Sequence, residues 1–171
     1  AGCAGGEEPY SISILINEMQ EKENQRFHPA IFATDINKTV LKKAKKGVYL
    51  FGQVKNIKYG LIHKYFEQKK DQFILSPKIR DMVTFSFYDM IDDRTYSPPE
   101  SVFGSFDLIL CRNLLIYFQA EHQEKIFNKL FRALSPGGYL VLGEAERLPS
   151  EFENFFSKEN DYSHIYRKNT N

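Results

Sequence analysis

Cysteine is scarce in this chain of 171 residues: Cys3 and Cys111 stand alone, with no CxxC pair. Two such residues build no disulfide framework and suggest no structural zinc. Charge of one sign is also lacking, because 23 Lys and Arg against 22 Asp and Glu leave a formal net charge of +1. A dedicated nucleic-acid binder would carry a basic excess, so no nucleic-acid partner is expected. No apolar run approaches the ~20 residues that cross a bilayer as a helix, and direct membrane insertion is set aside. His28, His63, His122 and His164 lie far apart without metal-ligand spacing, so no metal is expected. There is no GxSxG elbow and no GxxxxGK(S/T) loop, and Cys111 has no histidine partner in sequence. Serine-elbow hydrolysis, P-loop nucleotide chemistry and a thiol nucleophile therefore drop out.

What remains is a well-stocked core. Hydrophobic residues make up 42% of the chain, with 15 Phe and 10 Tyr, too many for disorder. A chain of this length reads as one domain that buries on the order of 70% of its unfolded surface without staples. With no basic n-region before an apolar stretch, a cytoplasmic, monomeric domain over 1–171 is expected. The chain opens on Ala1-Gly2-Cys3-Ala4-Gly5-Gly6, a loop composition that normally follows a strand. The reading is that a first strand, and more, belongs upstream.

Ile12, Leu15, Ile16 and Met19 fall at helical spacing behind Pro9, which suits a first helical turn. Ala30-Ile31-Phe32-Ala33 reads as a buried strand ending at Thr34-Asp35, followed by a helix from near Asn37 or Thr39 that stops at Gly47. Lys42, Lys43, Lys45 and Lys46 read as a solvated face of that helix. A helix around Leu61–Phe66, a strand at Phe73–Leu75 and an alternating strand at Val83, Phe85 and Phe87 follow. Tyr96-Ser97-Pro98-Pro99 reads as a loop, Phe106–Cys111 as the best buried strand, and the next helix presents Phe127, Leu130, Phe131 and Leu134. Ser135-Pro136-Gly137-Gly138 reads as a turn before a strand at Tyr139–Leu142, with a last short strand at Tyr162–Arg167. Strands alternating with helices predict an α/β fold with a mainly parallel sheet, whose ligands bind at the carboxyl ends of strands.

The candidates for chemistry sit at such ends. Gly2, Gly5 and Gly6 let backbone approach a ligand closely. Glu7 and Glu8 stand where a nucleotide loop would meet phosphate, and they favour a ligand with an ammonium or hydroxyls; equally, both simply suit a helix N-terminus. Asp35 can accept ribose hydroxyls or serve the following turn. Asp89, after the third strand, is a ligand acceptor or an ordinary turn residue. Cys111-Arg112-Asn113 turns polar at the end of a central strand, where Arg112 meets a ligand or pairs with Asp107, and Tyr117 is a site residue or a core aromatic.

Taken in order, these segments resemble the methyltransferase domain of the CheR family, the chemoreceptor glutamate O-methyltransferases. The resemblance is carried by Ala1 to Ser11 with its Gly-Glu-Glu-Pro-Tyr-Ser string, by Phe32-Ala33-Thr34-Asp35-Ile36 with Leu41, Ala44, Gly47 and Tyr49, and by Tyr65-Phe66, Val83 and Phe85. It continues through FDLILCRNLLIYF from Phe106 to Phe118, Leu134 to Leu140, and Gly143-Glu144, so it spans essentially the whole chain. It implies a Rossmann-like, doubly wound methyltransferase sheet, mostly parallel with an antiparallel strand at the C-terminal end, and a small inserted β-subdomain over 66–88. It also implies S-adenosylmethionine as cofactor and S-adenosylhomocysteine as product. Gly2, Gly5 and Glu8 match the methionine side of the cofactor site, and Asp35 the ribose acid. Asp89 and Met90 match the pair beside adenine, where the family usually has Asn-Leu. Arg112 and Asn113 match the cofactor-contacting pair, and Tyr117 the tyrosine near the transferred methyl, which makes Tyr117 and Arg112 the catalytic candidates. The family's helical N-terminal domain and first strand are not in this chain, and Gly143-Glu144-Ala145-Glu146 stands where Gly-His-Ser-Glu is common.

The activity so implied is methyl transfer to glutamate carboxylates of a chemoreceptor cytoplasmic domain. A glutamate of pKa ~4.3 is already ionised at neutral pH, so no general base is required and the lack of one is no objection. Two other readings stay open: a methyltransferase of the same fold acting on another protein or a small molecule, and a non-catalytic module that binds adenosyl ligands. Some family members dock a receptor tail peptide as an added strand on their β-subdomain. The short charged turn Glu67–Asp71, with edge-guarding lysines, predicts that this chain does without that tether.

Overall fold

The computed structural model describes every residue except Asp93, Tyr96, Val102, Phe103 and Asn171. The first residue of the expected Tyr96–Pro99 loop therefore lies outside the described residues. The chain forms two compact units, one of Cys3–Phe87 and the other of Tyr88–Asn171 with Ala1–Gly2.

In the first unit, helix α1 (Glu7–Glu23) starts at Gly6, carries Glu7 and Glu8 in its first turn, and ends at Asn24 in the left-handed conformation. Its sequence periodicity points to Ile12, Leu15, Ile16 and Met19 as the packed face. The structure instead buries Pro9, Tyr10, Ser13, Ile14 and Asn17, leaving Leu15 55% and Met19 51% exposed. The buried polar groups are satisfied locally: the Ser13 hydroxyl donates to the Pro9 carbonyl, and the Asn17 amide donates to Tyr65 Oη and Glu21. Polarity in sequence thus misled because each group has its partner within the unit.

Strand β1 (Ile31–Asp35) is followed by α2 (Lys38–Ala44), whose N-cap is Asn37: its side chain accepts from the Thr39 and Val40 N–H groups. The lysines of and after α2 are exposed. Then come β2 (Val48–Leu50), α3 (Phe51–Val54), α4 (Tyr59–Tyr65), β3 (Phe66–Lys69), β4 (Gln72–Leu75), α5 (Pro77–Arg80) and β5 (Val83–Phe87). Strands β1 and β5 pair in parallel, Ile31 opposite Val83 and Asp35 opposite Phe87. Strands β2, β4 and β3 form a separate antiparallel sheet in that order. The small sheet expected over 66–88 is therefore drawn differently: it recruits Val48–Leu50 from upstream and releases Val83–Phe87 to β1. Such pairing joins residues distant in sequence, which local alternation does not encode. Phe87, expected on the buried face, is exposed, and the Lys38 ammonium lies 5.0 Å from its ring centroid.

The second unit holds β6 (Phe106–Cys111), α6 (Ala120–Ala133), β7 (Leu134–Leu142), β8 (Phe156–Lys158) and β9 (Ile165–Lys168). Its sheet runs β6-β7-β9-β8, with β6 and β7 parallel and the other pairs antiparallel. Parallel pairs joined through helices, with antiparallel strands at the C-terminal end, make the Rossmann-like α/β methyltransferase fold. The Ser135–Gly138 segment, expected as a turn, is absorbed as an irregularity inside β7: Phe106 pairs with Leu134 and Leu108 with Tyr139, so the residues between bulge around Asp107. Gly138 permits this, since a Cβ there would lie 2.9 Å from the Ser135 carbonyl oxygen. Among the described residues β6 pairs with β7 alone, and Leu108 is 43% exposed, so the strand expected to be the best buried is partly open. On α6, Ile126, Phe127, Leu130 and Ala133 face the core. Ile126 and Phe127 are essentially fully buried, each contributing ~1.5–3 kcal/mol of apolar burial. The Lys168 ammonium donates to the Phe131 and Leu134 carbonyls, satisfying the end of α6. Among the described residues no helix is long and apolar enough to cross a membrane.

Candidate functional site

The glycine loop of the first unit is tied to the end of β1 by backbone. Cys3 N–H donates to the Thr34 carbonyl at 2.9 Å, Gly6 N–H donates to the Cys3 carbonyl at 2.9 Å, and Ala4 N–H donates to Asp35 Oδ2 at 3.0 Å. Tyr49 Oη donates to the Gly5 carbonyl at 3.1 Å. Gly6 takes φ 86°, with a prospective Cβ only 3.1 to 3.3 Å from Ala44, Tyr10 and Phe85. Only glycine sits there without strain. Burial, with the Asp35 carboxylate adding to it, pushes the Cys3 thiol up to about 11, so this loop holds no thiolate at neutral pH.

Asp35 thus meets the loop through the Ala4 N–H. Its other oxygen, Oδ1, accepts the Asn37 N–H at 2.8 Å. The capping of α2 falls to Asn37, which leaves Asp35 as a half-buried carboxylate at the carboxyl end of a parallel strand. Glu8 is half-buried in the first turn of α1, and Glu7 accepts from the Gln53 amide at 2.7 Å. Three carboxylates around a glycine loop oppose phosphate and favour a cation or a hydroxyl donor. An open depression of about 440 Å³, lined by Tyr10, Lys45, Arg80 and Val83–Phe85, sits toward the amino end of β5, away from the β1 end that Asp35 occupies.

In the second unit, Gly2 takes φ 65°, and a Cβ there would lie 3.0 Å from Leu114. Asp89 forms a turn in which its Oδ1 accepts the Ile91 N–H at 2.9 Å, and Met90 packs on the core of this unit. Arg112 and Asn113 are exposed at the carboxyl end of β6, Asn113 in the left-handed conformation at φ 55°. The following 3-10 turn, Leu115–Tyr117, buries Leu115 and turns Tyr117 outward at 79% exposure. Tyr117 is therefore not a core aromatic. The turn is held from α6, where the Gln123 amide donates to the Leu115 and Phe118 carbonyls.

One residue, named in the sequence only as part of the Gly143–Glu146 segment, has a role that no sequence signal assigned. Glu146, 4% exposed, accepts four backbone N–H groups: those of Asn113 and Gly143 on Oε2 at 3.0 and 2.7 Å, and those of Leu114 and Leu115 on Oε1 at 2.8 and 2.7 Å. Its only local signal is Gly143, three residues earlier, where a Cβ would lie 2.8 Å from Oε2.

Each unit thus carries polar groups at the carboxyl end of a parallel strand, the place where α/β folds bind ligands: a strand-end acid under a glycine loop in the first, and Arg112 and Asn113 followed by an outward Tyr117 in the second. The comparisons with known proteins agree. Residues 1–164 match the family described as CheR methyltransferase, SAM binding domain, and the chain belongs to that family. It is 35% identical over 149 residues to the chemotaxis protein methyltransferase of Borreliella burgdorferi, covering 86% of this chain and 51% of that one. It is 34% identical over 163 residues to the chemotaxis protein methyltransferase of Listeria monocytogenes, covering 91% and 58%. A 104.1 kDa protein of Rhodobacter capsulatus, described as uncharacterized, is 32% identical over 155 residues, covering 91% of this chain and 16% of that protein. The chain spans about half the length of the curated chemotaxis methyltransferases it matches.

Proposed function

We propose that this chain is the catalytic domain of a cytoplasmic, S-adenosylmethionine-dependent protein-glutamate O-methyltransferase whose substrate is a chemoreceptor cytoplasmic domain. The observation that carries the reading is the Ala4 N–H to Asp35 bond, which sets a strand-end carboxylate beneath a glycine loop lined with acids and free of lysine and arginine. That donor set fits the cofactor: acids for a sulfonium, an ammonium and ribose hydroxyls, and a backbone without Cβ atoms for close approach. In this reading Gly2, Gly5 and Glu8 line the methionine side, Asp35 holds the ribose, Asp89 and Met90 border adenine, and Arg112 and Asn113 complete the binding set.

Bound S-adenosylmethionine supplies the activated methyl as a sulfonium. The residues of this chain then have positioning work. The acceptor carboxylate arrives ionised, so no side chain removes a proton. Arg112 and Tyr117, both exposed at the end of β6, orient that carboxylate for in-line attack. Carboxylate and sulfonium lose charge together, so exclusion of water around Tyr117 on docking of the acceptor favours the transition state. The products are a glutamate methyl ester and S-adenosylhomocysteine.

The test has two parts. Calorimetric titration with S-adenosylhomocysteine should show one site. Transfer of labelled methyl to a purified receptor cytoplasmic domain should give base-labile label on glutamate. Binding without transfer to any receptor, alongside transfer to a metabolite panel, would replace the substrate assignment. That the Borreliella and Listeria relatives are chemotaxis protein methyltransferases by name supports the chemotaxis substrate over that second reading.

A further inference from the structure

We infer that Glu146 is a positioning residue for the adenosyl site: its buried carboxylate fixes the Cys111–Tyr117 segment that presents Arg112, Asn113 and Tyr117. The inference rests on the site reading above and deepens it. Three successive amides, those of Asn113, Leu114 and Leu115, turn inward onto one carboxylate, and the amide of Gly143 at the end of β7 joins them. Successive amides converging in this way form a concave cradle for an anion, and here the anion is a side chain of the same unit. Bonds to a charged acceptor are the stronger kind, and a charge this deeply buried is stable only while they persist. Asn113 reaches its left-handed conformation as part of this cradle, which reverses the chain directly after Arg112. The ends of β6 and β7 are thereby stapled through one group.

Access for the carboxylate depends on Gly143, whose missing side chain leaves the space: a Cβ there would lie 2.8 Å from Glu146 Oε2 and 2.9 Å from Asn113 N. Two substitutions thus break the same cradle from opposite sides. Glu146→Gln keeps size and shape but presents an NH2 to one pair of amides, either Asn113 with Gly143 or Leu114 with Leu115. Gly143→Ala keeps the carboxylate and pushes it off its seat.

The experiment is calorimetric titration of the whole chain with S-adenosylhomocysteine, on wild type, both single variants and the double variant, each checked by circular dichroism and thermal melting. Positioning predicts that each single variant, still folded at the titration temperature, binds at least tenfold more weakly. It also predicts that the double variant loses little beyond the weaker single, because both act on one cradle. A purely structural carboxylate would lower the melting temperature and leave the affinity of the folded protein unchanged, which would overturn the inference. Failure of both variants to fold would likewise make Glu146 an element of the fold alone and overturn it. If wild type itself does not bind S-adenosylhomocysteine, the adenosyl reading falls, a result distinct from tight binding by wild type and variants alike.

Discussion

At the carboxyl end of β1, Asp35 stands half open to solvent and receives one N–H from a loop and one from the turn that follows it. Just past the end of β7, Glu146 is buried, and both its oxygens are filled by four amides. The two carboxylates occupy similar topological places and have opposite uses. Asp35 is organised by backbone and keeps room for a further partner, whereas Glu146 organises backbone and keeps none. Burial and the number of donors, rather than residue type, separate the acid proposed to bind the ribose from the one that holds the backbone.

The comparison breaks first, and most visibly, at Tyr117, the side chain that the frame presents. Tyr117→Phe should cut turnover by roughly 10–100-fold, the worth of one hydrogen bond to a charged group, with S-adenosylhomocysteine affinity and melting temperature unchanged. Steady-state methyl transfer beside calorimetry checks this; loss of folding would put Tyr117 back among core residues despite its exposure. Asp35→Ala should weaken S-adenosylhomocysteine binding by ~1–3 kcal/mol and shift melting little. Unchanged affinity there would remove the ribose assignment and collapse the contrast with Glu146.

A third substitution sharpens the loop side. Gly6→Ala forces a side chain into φ 86° against Tyr10, Ala44 and Phe85, and should cost ~1–2 kcal/mol of stability for the backbone alone. Denaturant midpoints measure it, and a neutral result would show that the loop is free to shift.

A smaller effect comes from carboxylates of a third kind, exposed and ion-paired. Hydrogen bonds from Lys64 hold Glu18 below its ordinary range, and Lys64, Asn17 and Lys78 bring Glu21 down to about 2. A folded pKa below the unfolded one contributes stability above the unfolded value, and that contribution is lost as pH falls toward about 2. Lys64→Met should flatten the acid limb of stability below about pH 4.5, read from urea midpoints across that range, with little change at neutral pH. The smallest expected effect is none: receptor tail pentapeptides should give no calorimetric signal. Of the two edges of the small sheet, β3 carries Glu67 and Lys69, and β2 is three residues long with its Leu50 N–H taken by Gln53. Micromolar binding would restore the tether.

Local signals explain what could be read without coordinates. Pro9 marked the first turn of α1, Asp35 closed β1, and the apolar run before Arg112 placed that residue at a strand end. The role of Glu146 was not legible, although its segment was, because three of its four donors lie about thirty positions upstream and no spacing rule links them. The recruitment of Val48–Leu50 into the small sheet is non-local in the same way. On α1 the helical period holds, but the packed face is rotated away from Leu15 and Met19 toward Tyr10, Ser13, Ile14 and Asn17, with Ile12 and Ile16 half-buried. Ser13 and Asn17 face inward because Pro9, Tyr65 and Glu21 satisfy them, a fact about neighbours rather than about the helix.

The irregularity in β7 bears on which substitutions the second unit tolerates. Phe106 pairs with Leu134 and Leu108 with Tyr139, and a side chain at Gly138 would press on the Ser135 carbonyl oxygen 2.9 Å away and the Asp107 carbonyl oxygen 3.1 Å away. A residue larger than glycine there would have to straighten the strand and so shift the partners of β6 beyond the irregularity.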